Sequence, residues 1–90
     1  MAATVGFELY GVPRMKAGVA RVDVEAATLA DALRGLVGQC PALAGSVVQD
    51  DGSIRPAYRV SLNSERFLTD PATRLSEGDV LLLLAADVGG

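Results

Sequence analysis

Apolar and polar residues alternate strictly at the start of the chain, with Val5, Phe7 and Leu9 on one parity and Gly6, Glu8 and Tyr10 on the other. Successive side chains of a strand point to opposite faces, so this period of two predicts a strand over residues 3–10 with one face on a core. Gly11 to Gly18 carries two glycines and a proline and reads as a loop. Beyond it, Ala20, Val22 and Val24 alternate with Arg21, Asp23 and Glu25, which predicts a second strand and a first hairpin. The period then changes. Leu33, Leu36, Val37 and Cys40 lie 4, 7, 8 and 11 residues beyond Leu29, on one face of a 3.6-residue helix. Thr28 is placed to cap its first turn through the hydroxyl, Asp31 sets a carboxylate near the positive helix start, and Pro41 stops the element just after Cys40. Gly35 and Gly38 each weaken this helix by about 1 kcal/mol relative to Ala, so packing across a sheet must hold it.

Residues 45–56 are polar and turn-like around Asp50-Asp51-Gly52, and Ser46-Val47-Val48 fits either a short strand or the tail of a second helical turn. Tyr58, Val60 and Leu62 then alternate with Arg59, Ser61 and Asn63, and Arg66-Phe67-Leu68 forms a short partner strand before the Asp70-Pro71 break. The last apolar segment, Val80 to Ala86, does not alternate. A continuous apolar strand is what a position buried on both faces requires, typically with a parallel neighbour, so it belongs at the sheet centre. The order is β-β-α-β-β-β without internal repeats. It predicts an α+β fold of the β-grasp type, a mixed sheet with one main helix packed on one face. The folded domain is expected over residues 1–84, with residues 85–90 as an extended tail.

Composition narrows the function classes. Ninety residues suffice for one domain, and half of them are apolar with 21% charged, far from the balance that keeps a chain disordered. The net charge is −3, and the eight basic residues, seven Arg and Lys16, are scattered from Arg14 to Arg74 with no cluster for a phosphate backbone. Phe7, Tyr10, Tyr58 and Phe67 are too dispersed for a base-stacking platform, so nucleic acid is not an expected partner. The start, Met-Ala-Ala-Thr-Val-Gly-Phe-Glu, has no basic segment followed by an apolar stretch. The run Val80 to Ala86 is far short of the ~20 residues that span a bilayer, so a cytoplasmic protein without membrane contact is expected. The single cysteine, Cys40, excludes an internal disulfide framework. With no histidine in the chain, neither a metal site nor His-based acid/base catalysis is expected.

Three features resemble the ubiquitin-like sulfur carriers, the family that includes the small subunit of molybdopterin synthase and the thiamine sulfur carrier. Leu75-Ser76-Glu77-Gly78-Asp79-Val80 resembles the family's Leu-x-x-Gly-Asp-x turn into the last strand. Val60-Ser61-Leu62-Asn63 followed by Glu65 resembles its V-x-x-N-x-E segment, and Gly89-Gly90 resembles its terminal pair. The resemblance covers nearly the whole chain. It departs in the tail, where the family reads Pro-x-x-Ala-Gly-Gly and this chain has Ala85-Ala86-Asp87-Val88 before the glycines.

The resemblance implies a protein cosubstrate with no catalytic residue and no bound cofactor. An E1-like adenylating enzyme would use ATP to activate the carboxylate of Gly90, which is then converted to a thiocarboxylate. A sulfur-accepting synthase subunit would take the sulfur, most directly in molybdopterin (molybdenum cofactor) biosynthesis. Gly89, Val88 and Asp87 would be gripped by the activating enzyme, and Gly78 and Asp79 would position the last strand. Six residues from Ala85 to Gly90 reach at most ~20 Å, and glycines pass a channel too narrow for a Cβ. Carriage of sulfur to cysteine, thiamine or a specialised metabolite is the nearest alternative reading. Isopeptide conjugation through Gly90 is the second, and a plain β-grasp interaction module with an idle tail is the third. Cys40 falls on the apolar helix face and reads as a core residue, Lys16 as a solvated charge, and Arg59 and Arg66 as surface charges.

Overall fold

The chain runs β1 (Ala3–Leu9), α1 (Gly11–Ala17), β2 (Arg21–Ala26), α2 (Leu29–Gln39), a 3-10 turn at Pro41–Leu43, β3 (Tyr58–Leu62), β4 (Arg66–Leu68) and β5 (Val80–Ala85). These elements are taken from a computed structural model, which describes residues 2–86. The strands form one mixed sheet in the order β2-β1-β5-β3-β4. As its apolar run predicts, β5 lies at the centre. It is parallel to β1, with Phe7 opposite Leu81 and Leu9 opposite Leu83, and antiparallel to β3, with Val60 opposite Leu83. This is the β-grasp arrangement.

The period-two pattern of β1 sends Val5, Phe7 and Leu9 to the face that also receives Leu81, Leu83 and Val60, all of them buried. The helical stripe Leu29, Ala32, Leu33 and Leu36 of α2 packs down on that face. A Cβ at Gly35 would come within 3.2 Å of Val24, so the bare Cα lets α2 approach β2 closely. The ends of α2 follow the capping chemistry. The Asp31 amide donates to Thr28 Oγ1 at 3.3 Å, Cys40 forms the C-cap, and Pro41 opens the 3-10 turn. Arg34, bonded to the Asp31 carboxylate at 2.9 Å, is the main reason that carboxyl sits below its ordinary range.

Four expectations are corrected or resolved. Residues 11–17 form a helix, α1, where a loop was expected, so β1 and β2 pair antiparallel across a helical connection and not a plain hairpin. The glycine and proline that read as loop punctuation are compatible with it. Pro13 falls in the first turn, where amides have no intrahelical acceptor, and Gly18 terminates the helix at φ 78° while donating to the Arg14 carbonyl. The central strand is not buried on both faces: Leu81 and Leu83 are fully buried, but Val80, Leu82 and Leu84 are half-buried, because α2 covers one side of the sheet. The segment 45–56 forms no strand and opens on a single helical turn, the Val47 amide donating to the Leu43 carbonyl at 3.0 Å. It buries Val47 and Val48 and is tied by isolated bridges of Val48 to Ala44 and Ile54. Finally, Ala85 belongs to β5, paired with Tyr58, and the Ala86 amide still donates to the Ala57 carbonyl at 2.8 Å. The expected 85–90 tail therefore starts inside the sheet, and its last four residues, 87–90, lie outside the described residues.

Candidate functional site

Two ends of β5 matter, the turn that feeds it and the end from which the tail leaves. At the entry, Gly78 adopts φ 85°, a conformation open to glycine at no steric cost, and donates to the Thr4 carbonyl at 3.0 Å. Asp79 follows, its amide bonded to the Ser76 carbonyl and its carboxylate accepting from the Ser76 amide at 2.8 Å and from Asn63 Nδ2 at 3.1 Å. Asn63 closes the circuit. It sits in the left-handed region at φ 51°, accepts from the Val80 amide at 2.8 Å and donates its own amide to the Val80 carbonyl at 2.7 Å. The Gly-Asp turn and the Asn of the β3–β4 hairpin, which are remote in sequence, therefore form one clip that fixes where β5 begins and so its register. Asn63→Ala removes two side-chain bonds and leaves a residue less tolerant of positive φ. It is expected to cost about 1–2 kcal/mol, read as a lower urea midpoint at unchanged slope.

At the exit, the C-terminal ends of the parallel strands β1 and β5 lie side by side. The Tyr10 amide donates to the Leu83 carbonyl at 3.0 Å, so the chain leaving β1 is tied to β5 just before its end, and α1 packs against β5. Tyr10 places its hydroxyl on Glu8 at 2.9 Å, and that hydrogen bond is the first cause of its raised pKa. Arg21 also bonds Glu8, at 3.3 Å, and its guanidinium lies over Gly6 on the sheet face opposite α2. On the same face Arg59 stands 5.4 Å from the Phe67 ring centroid. Of the six residues assigned a role from the sequence, the structure places Gly78 and Asp79 at the entry turn. Asp87, Val88, Gly89 and Gly90 lie outside the described residues, and the strand that carries them ends at Ala85.

The remaining candidates are structural or isolated. Cys40 is buried beside α2, and burial pushes its thiol above the ordinary value, away from the thiolate that nucleophilic chemistry needs. Lys16 is exposed in the last turn of α1. A concavity of about 790 Å³ lies between α2 and the 48–56 segment, with Leu33, Val37, Ile54 and Tyr58 among its lining residues and Asp50, Asp51 and Arg55 also lining it. Among the described residues no group of three His, Cys, Asp or Glu is placed to hold a metal ion, and no helix is long and apolar enough to cross a membrane. Sequence reasoning missed the segment around α1. The apolar residues Tyr10, Val12, Met15 and Val19 recur there at spacings of 2, 3 and 4, a signal masked by the flanking glycines and Pro13.

Comparison with known proteins places this geometry. No family model matches the chain. Small archaeal modifier protein 1 of Haloferax volcanii is 42% identical over 71 residues, which span 78% of this chain and 79% of that protein. The crystal structure of SAMP1 from the same organism superposes with a TM-score of 0.82 at 32% identity, covering 98% of this chain and 100% of that one. The Amycolatopsis orientalis BexX/CysO complex contains a chain that matches with a TM-score of 0.77 at 17% identity, covering 96% of this chain and 99% of that one, a likeness of fold. The shared β-grasp sheet and the identity to the Haloferax protein lead to one conclusion: the chain belongs to the family of ubiquitin-like small archaeal modifiers and sulfur carriers.

Proposed function

We propose that this protein is a sulfur carrier whose working atom is the carboxylate carbon of Gly90. A carboxylate is a poor electrophile. Attack of its oxygen on the α-phosphate of ATP, in a separate E1-like enzyme, expels pyrophosphate and gives an acyl adenylate. A sulfur nucleophile then displaces AMP and leaves a thiocarboxylate. In this reading the acid, base and metal for these steps come from the partner enzyme. Its part is to present the tail, and the observation that carries the reading is family membership combined with a β5 held at the sheet centre up to Ala85. Residues 87–90 add at most about 14 Å of reach from that anchored end. Delivery to a larger catalytic subunit for molybdopterin synthesis in the cytoplasm is the pathway we favour, on the sequence resemblance. Cysteine, thiamine or a specialised metabolite are the other destinations.

A second reading has its own support, since the 42% identical relative is named a modifier. There the amine of a target lysine displaces AMP and an isopeptide bond forms through Gly90. Intact-mass spectrometry separates the two. After incubation with ATP, a competent activating enzyme and sulfide, the carrier reading expects a gain equal to sulfur replacing oxygen, located on Gly90 by fragmentation. Conjugation expects high-mass adducts on denaturing gels. An unchanged mass with an activator proven on another carrier overturns the carrier reading and moves conjugation or simple binding ahead.

A further inference from the structure

Large apolar side chains exposed one at a time are ordinary, but contiguous ones mark contact surfaces. Among the described residues five large apolar side chains are exposed, and four of them, Tyr10, Val12, Met15 and Val19, fall within ten residues of one another on α1 and its flanks. Met15 is 81% exposed, an unusual position for a flexible apolar side chain on a helix that buries only Pro13. The same short helix carries Arg14 and Lys16, both exposed, and no acidic residue in its first turn. It is also the element next to the end of β5: it packs on β5, and the Tyr10 amide is bonded to the Leu83 carbonyl two residues before the strand ends at Ala85.

We propose that the α1 ridge, Val12 and Met15 flanked by Tyr10 and Val19, is the surface by which the adenylating partner seats this chain before it takes the tail. The inference rests on the carrier reading above and adds to it the place and chemistry of the contact. A partner that draws Gly90 into its catalytic centre has to approach the end of β5, and α1 borders that end. The ridge is apolar at its crest and cationic beside it. It fits an apolar pocket rimmed by carboxylates, with the thioether of Met15 adapting its shape to the pocket floor. Because the group that reacts is the Gly90 carboxylate and no ridge residue is chemically changed, the ridge contributes equally to ground-state and transition-state binding. Its loss raises KM and leaves kcat unchanged.

The test compares the wild-type chain with Met15→Asp and Val12→Asp, both at exposed positions that leave the core intact, using ATP–pyrophosphate exchange by a competent activating enzyme. The expected result is a KM for the carrier raised on the order of tenfold or more at unchanged kcat, with thermal unfolding as in the wild type. Arg14→Glu together with Lys16→Glu raises KM further, and does so less as salt increases. Unchanged KM in the apolar variants, while the wild-type chain is activated normally, overturns the inference and leaves the carrier reading standing. Failure of the wild-type chain itself to exchange overturns the reading, and the inference falls with it. Concentration-dependent sedimentation of the wild-type chain that disappears in Met15→Asp would assign the ridge to a second copy instead, and would equally overturn the proposal.

Discussion

Gly90→Val is expected to reduce sulfur loading by on the order of 100-fold or more while thermal unfolding stays as in the wild type. Adenylation requires the carboxylate oxygen to reach the α-phosphate at about 3–3.5 Å and in line, a geometry set by the enclosing partner and not by this chain. Valine adds a branched Cβ at the reacting residue, closes the backbone angles that glycine allows, and stiffens χ1. One extra residue after Gly90 has the same expected effect for a different reason, since it moves the carboxylate by up to ~3.6 Å. Either change leaves every residue of the described core in place. Intact mass after a fixed incubation reads the loading and circular dichroism reads the fold. Normal loading of either variant would sink the carrier mechanism, and with it the conjugation reading that uses the same activated carbonyl.

The same contrast between tail and core describes what the sequence made legible. Alternation over Val5, Phe7 and Leu9 is a direct consequence of the pleat, and it located β1 to within a residue. The stripe of α2 is equally direct, and its Thr28 cap and Pro41 stop are local chemistry that needs no tertiary information. The apolar run at 80–86 identified a central strand with a parallel neighbour, but overstated its burial. Periodicity cannot distinguish a strand covered on both sides from one whose outer residues wait, half-exposed, for something else to cover them. The clip of Asn63 with Asp79 was invisible as a unit because it joins residues 16 apart through side chains, although each half stood in a motif. For α1, Gly11, Pro13 and Gly18 are loop signals anywhere except the ends of a short helix, which is where they lie. The tail residues Asp87 to Gly90 are the opposite case. The sequence assigns them a role only through chemistry and family resemblance, since their residue types carry no hydrophobic periodicity, and they lie outside the described residues.

Phe7→Ala is expected to be the most damaging single change to the fold. Phe7 has no exposed surface and sits at the middle of β1, across from Val22 on one side and Leu81 on the other, so it joins the two halves of the sheet. Truncating a buried phenylalanine loses its transfer free energy and leaves a cavity, about 3–5 kcal/mol together. A domain of this length has roughly 5–13 kcal/mol in total, so the loss is about a quarter of the stability or more. With a urea slope of ~1 kcal/mol/M the midpoint falls by roughly 3–5 M. Phe67→Ala is the control, because Phe67 is the same residue type in the same sheet but stands 51% exposed beneath Arg59. It gives up a partial burial and a cation–π contact of about 0.5–1 kcal/mol. Its midpoint should move by roughly 1 M or less. Equal shifts for the two variants would mean that the sheet faces are assigned the wrong way round. A large shift for Phe7 alone would show that the sheet is anchored from the side that α2 covers, with β1 held there between β2 and β5.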